Sequence, residues 1–226
     1  MHIPESTMNQ TWVLVFCEFH FKEPCKKLRN HSAEPRHAIM EKKYINASSL
    51  LKDAFELALQ ILESNFEPDL IIGVWRGGTP VGIAIQEALE FAGIHSDHIA
   101  IRTSSYTSIG KRTRVTVHGL DYLRRHFSSN ESLLLVDDVF DTGLSLQQVI
   151  RELSDIYQDD LPQIRIATPY YKPRNNQTKR KPDFYLHETD QWLVFPHELI
   201  GLTDEEILKN KPDMGTTRQR LLLARR

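Results

Sequence analysis

Leu50, Leu51, Ala54, Phe55, Ala58, Ile61 and Leu62 recur at the three- and four-residue spacing that lays apolar side chains along one face of a helix, and Asn46 or Ser48 stands ready as its cap. Pro68-Asp69 breaks the pattern. Leu70 to Trp75 then reads as a buried strand running into the turn Arg76-Gly77-Gly78-Thr79-Pro80, and Val81 to Ala92 predicts a helix closed by Gly93. A second unit follows. His98 to Arg102 reads as a strand, and Ser104 to Gly119 is a polar, basic stretch holding Lys111, Arg112 and Arg114. Leu133 to Val136 is a short apolar strand opening into the turn Asp137 to Ser145, and Leu146 to Ile156 continues as a helix. Ile164 to Thr168 predicts another strand, Thr203 to Lys209 starts a short helix, and Arg218 to Arg226 reads as a basic tail.

Strands alternating with helices imply a mostly parallel α/β sheet covered by helices on both faces. In such sheets ligands bind at the carboxyl ends of the strands, so the turns after Trp75 and Val136 are where chemistry is expected. Residues 1–39 mix isolated aromatics with His, Lys and Arg without a sustained period, and form an unpatterned extension. The expected organisation is that extension, one domain over 40–200, and a C-terminal helix and tail over 201–226.

Composition narrows the class. The 226 residues carry 28 basic and 30 acidic side chains, a net charge of −2 that lacks the basic surplus of a general nucleic-acid or membrane-surface binder. The two cysteines, Cys17 and Cys25, lack partners at zinc spacing and are too few for a disulfide framework, which suits a reducing cytoplasm. The run Trp12 to Cys17 is too short for a membrane span. The expectation is a soluble cytoplasmic protein.

The strongest chemical signal is the turn Asp137 to Ser145. Asp137 and Asp138 leave the strand as adjacent carboxylates, Asp141 follows, and Thr142, Gly143, Leu144 and Ser145 bring hydroxyls and bare backbone to a helix start. A helix N-terminus with free N–H groups holds anions, and carboxylates beside it accept hydrogen bonds from vicinal hydroxyls. The combination describes a pocket for a sugar phosphate. An ordinary helix cap accounts for one acidic or hydroxyl residue but not for three carboxylates together with Gly and Ser. No Gly-Lys-Ser/Thr run is present, which excludes a Walker-type loop.

Leu134 to Gly143 resembles the phosphoribosyl pyrophosphate (PRPP) motif of the type I phosphoribosyltransferases, and the resemblance extends from Tyr44 to Glu198. It implies their fold, a parallel sheet with a small hood subdomain, and within the family it runs to the six-oxopurine group that acts on hypoxanthine, guanine and xanthine. It further implies that Asp137 and Asp138 hold the ribose and reach Mg²⁺ through water, that residues Asp141, Thr142, Gly143, Leu144 and Ser145 cradle the 5′-phosphate, and that Asp141 serves as general base. Ser145 stands where many members carry Thr. Arg76-Gly77-Gly78 resembles the pyrophosphate loop. Ser104-Ser105-Tyr106 with Lys111 and Arg112 resembles the mobile hood loop, in which Arg112 neutralises the departing pyrophosphate.

Tyr170-Tyr171-Lys172-Pro173 resembles the position where a lysine donates to the exocyclic oxygen of the purine, and Asp190 to Val194 the segment whose ring, here Trp192, stacks on the base, with backbone carbonyls near Leu193 facing the two-position of the purine. A lysine has donors only, so it selects an oxo over an amino group. The segment Asn175 to Lys181 departs from the family pattern, and Pro196-His197-Glu198 reads as part of the hood lobe. The resemblance implies Mg²⁺ as cofactor, PRPP and a purine base as substrates, and a homodimer or homotetramer, while the near-neutral charge points to no nucleic-acid or membrane partner. Two alternatives share the fold: a non-catalytic PRPP or nucleotide sensor, and a phosphoribosyltransferase for another base such as a pyrimidine.

Overall fold

Residues 41–106, 114–128 and 130–225 are described by a computed structural model. The elements run β1 (Lys42–Tyr44), α1 (Ala47–Glu63), β2 (Leu70–Trp75), α2 (Gly78–Phe91), β3 (Asp97–Tyr106), β4 (Arg114–His118), α3 (Leu123–His126), β5 (Ser132–Val136), β6 (Val139–Phe140), α4 (Leu144–Tyr157), β7 (Gln163–Tyr171), β8 (Phe184–Glu188), β9 (Trp192–Val194), α5 (Asp204–Asn210) and α6 (Thr217–Leu223).

The strands β3, β2, β5 and β7 lie side by side and parallel, with β4 antiparallel at one edge and β8 parallel to β7 at the other. Successive side chains of a strand point to opposite faces, and both faces here are apolar. Leu134 and Val136 of β5 join Ile71 of β2 under α1 and α2, where Leu57, Ala58, Ile61, Val81, Ile85 and Leu89 pack. Leu133 and Leu135 point the other way with Leu70, Ile72 and Val74, against Leu146, Val149 and Leu153 of α4. Each Val, Leu or Ile among them contributes about 1.5–3 kcal/mol when fully buried. Two covered faces explain why these strands read as unbroken hydrophobic runs rather than alternating ones.

A second, smaller assembly is built from the two flanks of this region. β1 pairs in parallel with β9, Lys42 opposite Trp192 and Tyr44 opposite Val194. Val194, Leu202 and Ile207 form its core, with Tyr44, Leu199 and Leu222 packed against them. Thr203 caps α5 in a reciprocal capping box with Glu206.

Several expectations are corrected. In α1 the packed stripe is Leu50, Ala54, Leu57, Ala58 and Ile61, while Leu51 and Phe55 lie 50% and 42% exposed; the helix has apolar positions around more than one face, and only its neighbours decide which are covered. Asn46 supplies the cap, its Oδ1 accepting from the Ser49 amide at 2.7 Å. Helix α2 begins at Gly78, three residues before the expected start, and β7 runs on to Tyr171. The polar stretch expected from Ser104 onward begins inside β3, whose residues Arg102 to Tyr106 pair antiparallel with Arg114 to His118 of β4. Residues 107–113 between the two strands, with Lys111 and Arg112, lie outside the described residues. The basic C-terminal stretch contains a helix, α6.

Candidate active site at the carboxyl ends of β2, β5 and β7

The ladder between β5 and β7 ends where the acidic pair begins. Asp137 N still donates to Ala167 O at 3.2 Å, the chain then swings outward, and pairing resumes in β6, with Val139 and Phe140 opposite Tyr170 and Tyr171. Asp137 and Asp138 occupy this break. Asp138 N donates to Asp137 Oδ1 at 3.0 Å. Burial, followed by the neighbouring Asp138 charge, pushes the Asp137 carboxyl well above the usual range. Burial, with the Glu198 charge next, pushes Asp138 up to about 7.

The turn after β2 is pressed against this break. A Cβ on Gly77 would sit 1.7 Å from Asp138 Oδ2, and one on Gly78 would sit 2.2 Å from Val136 O, so neither position admits a side chain as the loops stand. The Trp75–Arg76 peptide in this turn is cis. Arg76 is exposed at its rim.

After β6 the chain enters α4 through Gly143, whose φ of +74° is the left-handed conformation that glycine adopts without strain and whose missing Cβ makes room for the Phe140 ring. Asp137, Val139, Phe140, Asp141, Thr142, Gly143, Ser145 and Leu146 line a cavity of about 70 Å³ at this helix start. That exceeds what a single water requires. The α4 dipole and the amides of its first turn favour an anion there.

Lys172 follows β7 and is buried, its amide donating to Phe140 O at 2.9 Å and its Nζ lying 3.0 Å from Asp141 Oδ2. Asn175 Nδ2 donates to the other oxygen, Asp141 Oδ1, at 2.7 Å. The side chain of Asp141 is thus held from two sides while remaining 41% exposed.

A model of the phosphoribosyl transferase domain matches residues 42–199. This chain belongs to that family. Among solved structures, the phosphoribosyltransferase fold is shared with purine phosphoribosyltransferase from Pyrococcus horikoshii (29% identity, 72% of this chain and 97% of that one, TM-score 0.57). It is also shared with the xanthine-guanine-hypoxanthine phosphoribosyltransferase of Helicobacter pylori (23% identity, 75% and 99%, TM-score 0.56). A Neisseria gonorrhoeae protein with bound ppGpp has the same fold (17% identity, 78% and 99%, TM-score 0.61). No curated protein matches the chain.

In this phosphoribosyltransferase the elements therefore bring together Gly77, Gly78, Asp137, Asp138, Asp141 to Ser145 and Lys172. Ser104 lies on β3, its Oγ 3.4 Å from His118 Nε2 across the ribbon. Ser105 and Tyr106 extend that strand toward the tip. Trp192 opens β9 and is 53% exposed, whereas Leu193 is buried in the core over α1. Three further side chains lie close to this region: Asn175 and His197, in segments the pattern reading singled out without giving either residue a role, and Lys211, which it did not name. Asn175, in the atypical segment after Lys172, holds Asp141, and the same segment returns to the acidic turn through Gln177 N, which donates to Thr142 O at 3.0 Å. His197 Nε2 comes within 3.9 Å of Asp138 Oδ2, with burial pushing its pKa down. Lys211 is buried behind the turn that carries His197. Nothing in the sequence sets Lys211 apart from a surface lysine, and for Asn175 and His197 the sequence marks the segment but not the contact.

Proposed function

We propose that this phosphoribosyltransferase transfers the 5-phosphoribosyl group of PRPP to a 6-oxopurine, hypoxanthine first with guanine or xanthine as further candidates, releasing pyrophosphate and the nucleoside monophosphate in cytoplasmic purine salvage. The observation that carries the reading is Lys172, a buried ammonium at the carboxyl end of the sheet, beside Asp141. A lysine donates and never accepts, so facing a purine ring it favours an exocyclic oxygen over the amino group of adenine. The 29% identity to a purine phosphoribosyltransferase supports the same direction.

In this reading the bond from the anomeric carbon to the pyrophosphate oxygen breaks as a purine ring nitrogen bonds to that carbon, through a cation-like sugar, and the ring loses one proton. Asp141 takes that proton. The amides at the start of α4 with Thr142 and Ser145 hold the 5′-phosphate, and Asp137 and Asp138 accept from the ribose hydroxyls. The Gly77-Gly78 turn, with Arg76 and the Ser104-Ser105-Tyr106 ribbon and its Lys111 and Arg112, receives the pyrophosphate. Trp192 stacks on the base beside Leu193.

Two largely buried neighbouring carboxyls, both raised, form a donor set that gains from a divalent cation. Among the described residues no group of three or more His, Cys, Asp or Glu side chains gathers, and two carboxylates suit Mg²⁺, which keeps waters and substrate phosphates in its shell. Bound there, Mg²⁺ would supply charge neutralisation of the pyrophosphate. Among the described residues no helix is long and apolar enough to cross a membrane.

The test is pyrophosphate release by purified protein with PRPP and Mg²⁺ on hypoxanthine, guanine, xanthine, adenine and uracil in parallel. Turnover on oxopurines alone is expected. Turnover on adenine or uracil instead would overturn the base assignment, and PRPP binding without turnover on any base would indicate a sensor.

A further inference from the structure

Among the described residues three polar or charged side chains are buried: Thr168, Lys172 and Lys211. Lys172 belongs to the candidate site. Lys211 lies beyond the span matched by the family model, in the turn that ends α5. A buried ammonium is costly unless its donors are used. Lys211 Nζ donates to Phe195 O at 2.5 Å and to Pro196 O at 3.3 Å. Burial pushes its pKa below the ordinary lysine value, with the Glu198 charge opposing.

The carbonyls it holds belong to one tight turn. Glu198 N also donates to Phe195 O at 3.1 Å, and Glu198 Oε2 accepts from Phe195 N at 2.9 Å. Upstream the turn continues directly from β9 and Trp192, and downstream it carries His197 toward Asp138. The helix bearing Lys211 is itself anchored. Glu206 Oε1 accepts from Lys42 Nζ at 2.7 Å and from Tyr44 OH at 3.1 Å, and those two residues sit on β1, the strand paired with β9. Helix α5 is thus tied through Glu206 to β1, the partner of β9, and Lys211 at its C-terminal end is tied to the turn that follows β9.

We propose that Lys211 is a positioning residue for base recognition, its ammonium fixing the Phe195-Pro196 turn and thereby the placement of the Trp192 ring against the purine. This rests on the functional reading above, with Trp192 as the stacking residue. Lys211 touches neither substrate. It acts by removing freedom from the segment that does, and such prepayment of ordering appears as affinity.

The test compares wild type with Lys211→Met, which keeps the buried stem and deletes the donors, and with Lys211→Ala, each verified as folded by circular dichroism. Two readouts are taken. In hydrogen exchange, the amides from Leu193 to Glu198 are expected to exchange at least about tenfold faster in the variants, while those of Leu133 to Val136 stay unchanged. In kinetics, KM for the oxopurine is expected to rise about tenfold, with KM for PRPP within about twofold. Unchanged exchange in Lys211→Met would overturn the latch, and equal rises in both KM values would reduce Lys211 to a general stabiliser. Absence of wild-type turnover on every base would instead sink the functional reading, leaving the exchange comparison to decide whether Lys211 holds the turn.

Discussion

Lys172 Nζ stands 3.0 Å from Asp141 Oδ2, an ion pair that joins the residue after β7 to the acidic turn before α4. Asn175 takes the second oxygen of the same carboxylate. The residue proposed to accept a proton from the base and the residue proposed to read its oxo group are therefore set by each other.

Replacing Asp141 by Asn keeps the shape of the side chain and removes its charge and basicity. Turnover is expected to fall by at least about 100-fold, the scale of a lost general base, with PRPP affinity within about threefold. Isothermal titration with PRPP alongside steady-state rates checks this, and full retained activity would remove Asp141 from the base role.

The two glycines of the turn after β2 should fail differently. A Cβ on Gly78 meets the Val136 carbonyl, which is backbone of a central strand, whereas a Cβ on Gly77 meets the Asp138 carboxylate. Gly78→Ala is expected to destabilise by several kcal/mol, as overpacking against an immobile neighbour does. Gly77→Ala should cost less stability and more than about tenfold in activity by displacing Asp138. Gly93, with nothing within 4 Å of its Cβ position, is the control: Ala there meets only the strain of its φ of +89°. Thermal melts and rates of the three variants separate the cases.

Asp138 titrates near 7 in the folded chain because it is buried and faces the Glu198 charge, and near ~4 when unfolded. Between those values the folded chain keeps a proton that the unfolded chain has released, so the contribution of this group to stability falls as pH rises from about 4 to about 7 and levels off above. Asp138→Asn removes this titration. The stability difference between variant and wild type should grow across that window by an amount on the order of a few kcal/mol. Melting curves of ligand-free protein that run parallel at every pH would contradict the assignment.

Trp192 is half exposed at the start of β9. Trp192→Ala is expected to raise KM for the base by about tenfold, in line with one lost base–aromatic stack, and Trp192→Phe to restore most of it. Equal effects of both substitutions would argue against stacking.

What the sequence determined by itself is local. Runs such as Leu133 to Val136 and the period of α4 placed strands and helices, and three carboxylates with Gly143 in one short turn marked the site, because the period of a pattern and the chemistry of a turn are written within a few residues. Tertiary structure decided everything that depends on distant partners. It chose which apolar stripe of α1 is covered, paired the end of β3 with β4 in a ribbon, folded the Asn175 segment onto Asp141, and made a small lobe from Tyr44 and Glu206, 162 residues apart. Strands as short as β1 and β9 carry too few residues to announce themselves, and they exist because each is the other's hydrogen-bonding partner. Lys211 looks like any surface lysine until the fold closes over it, and its place among buried carbonyls is set by long-range packing.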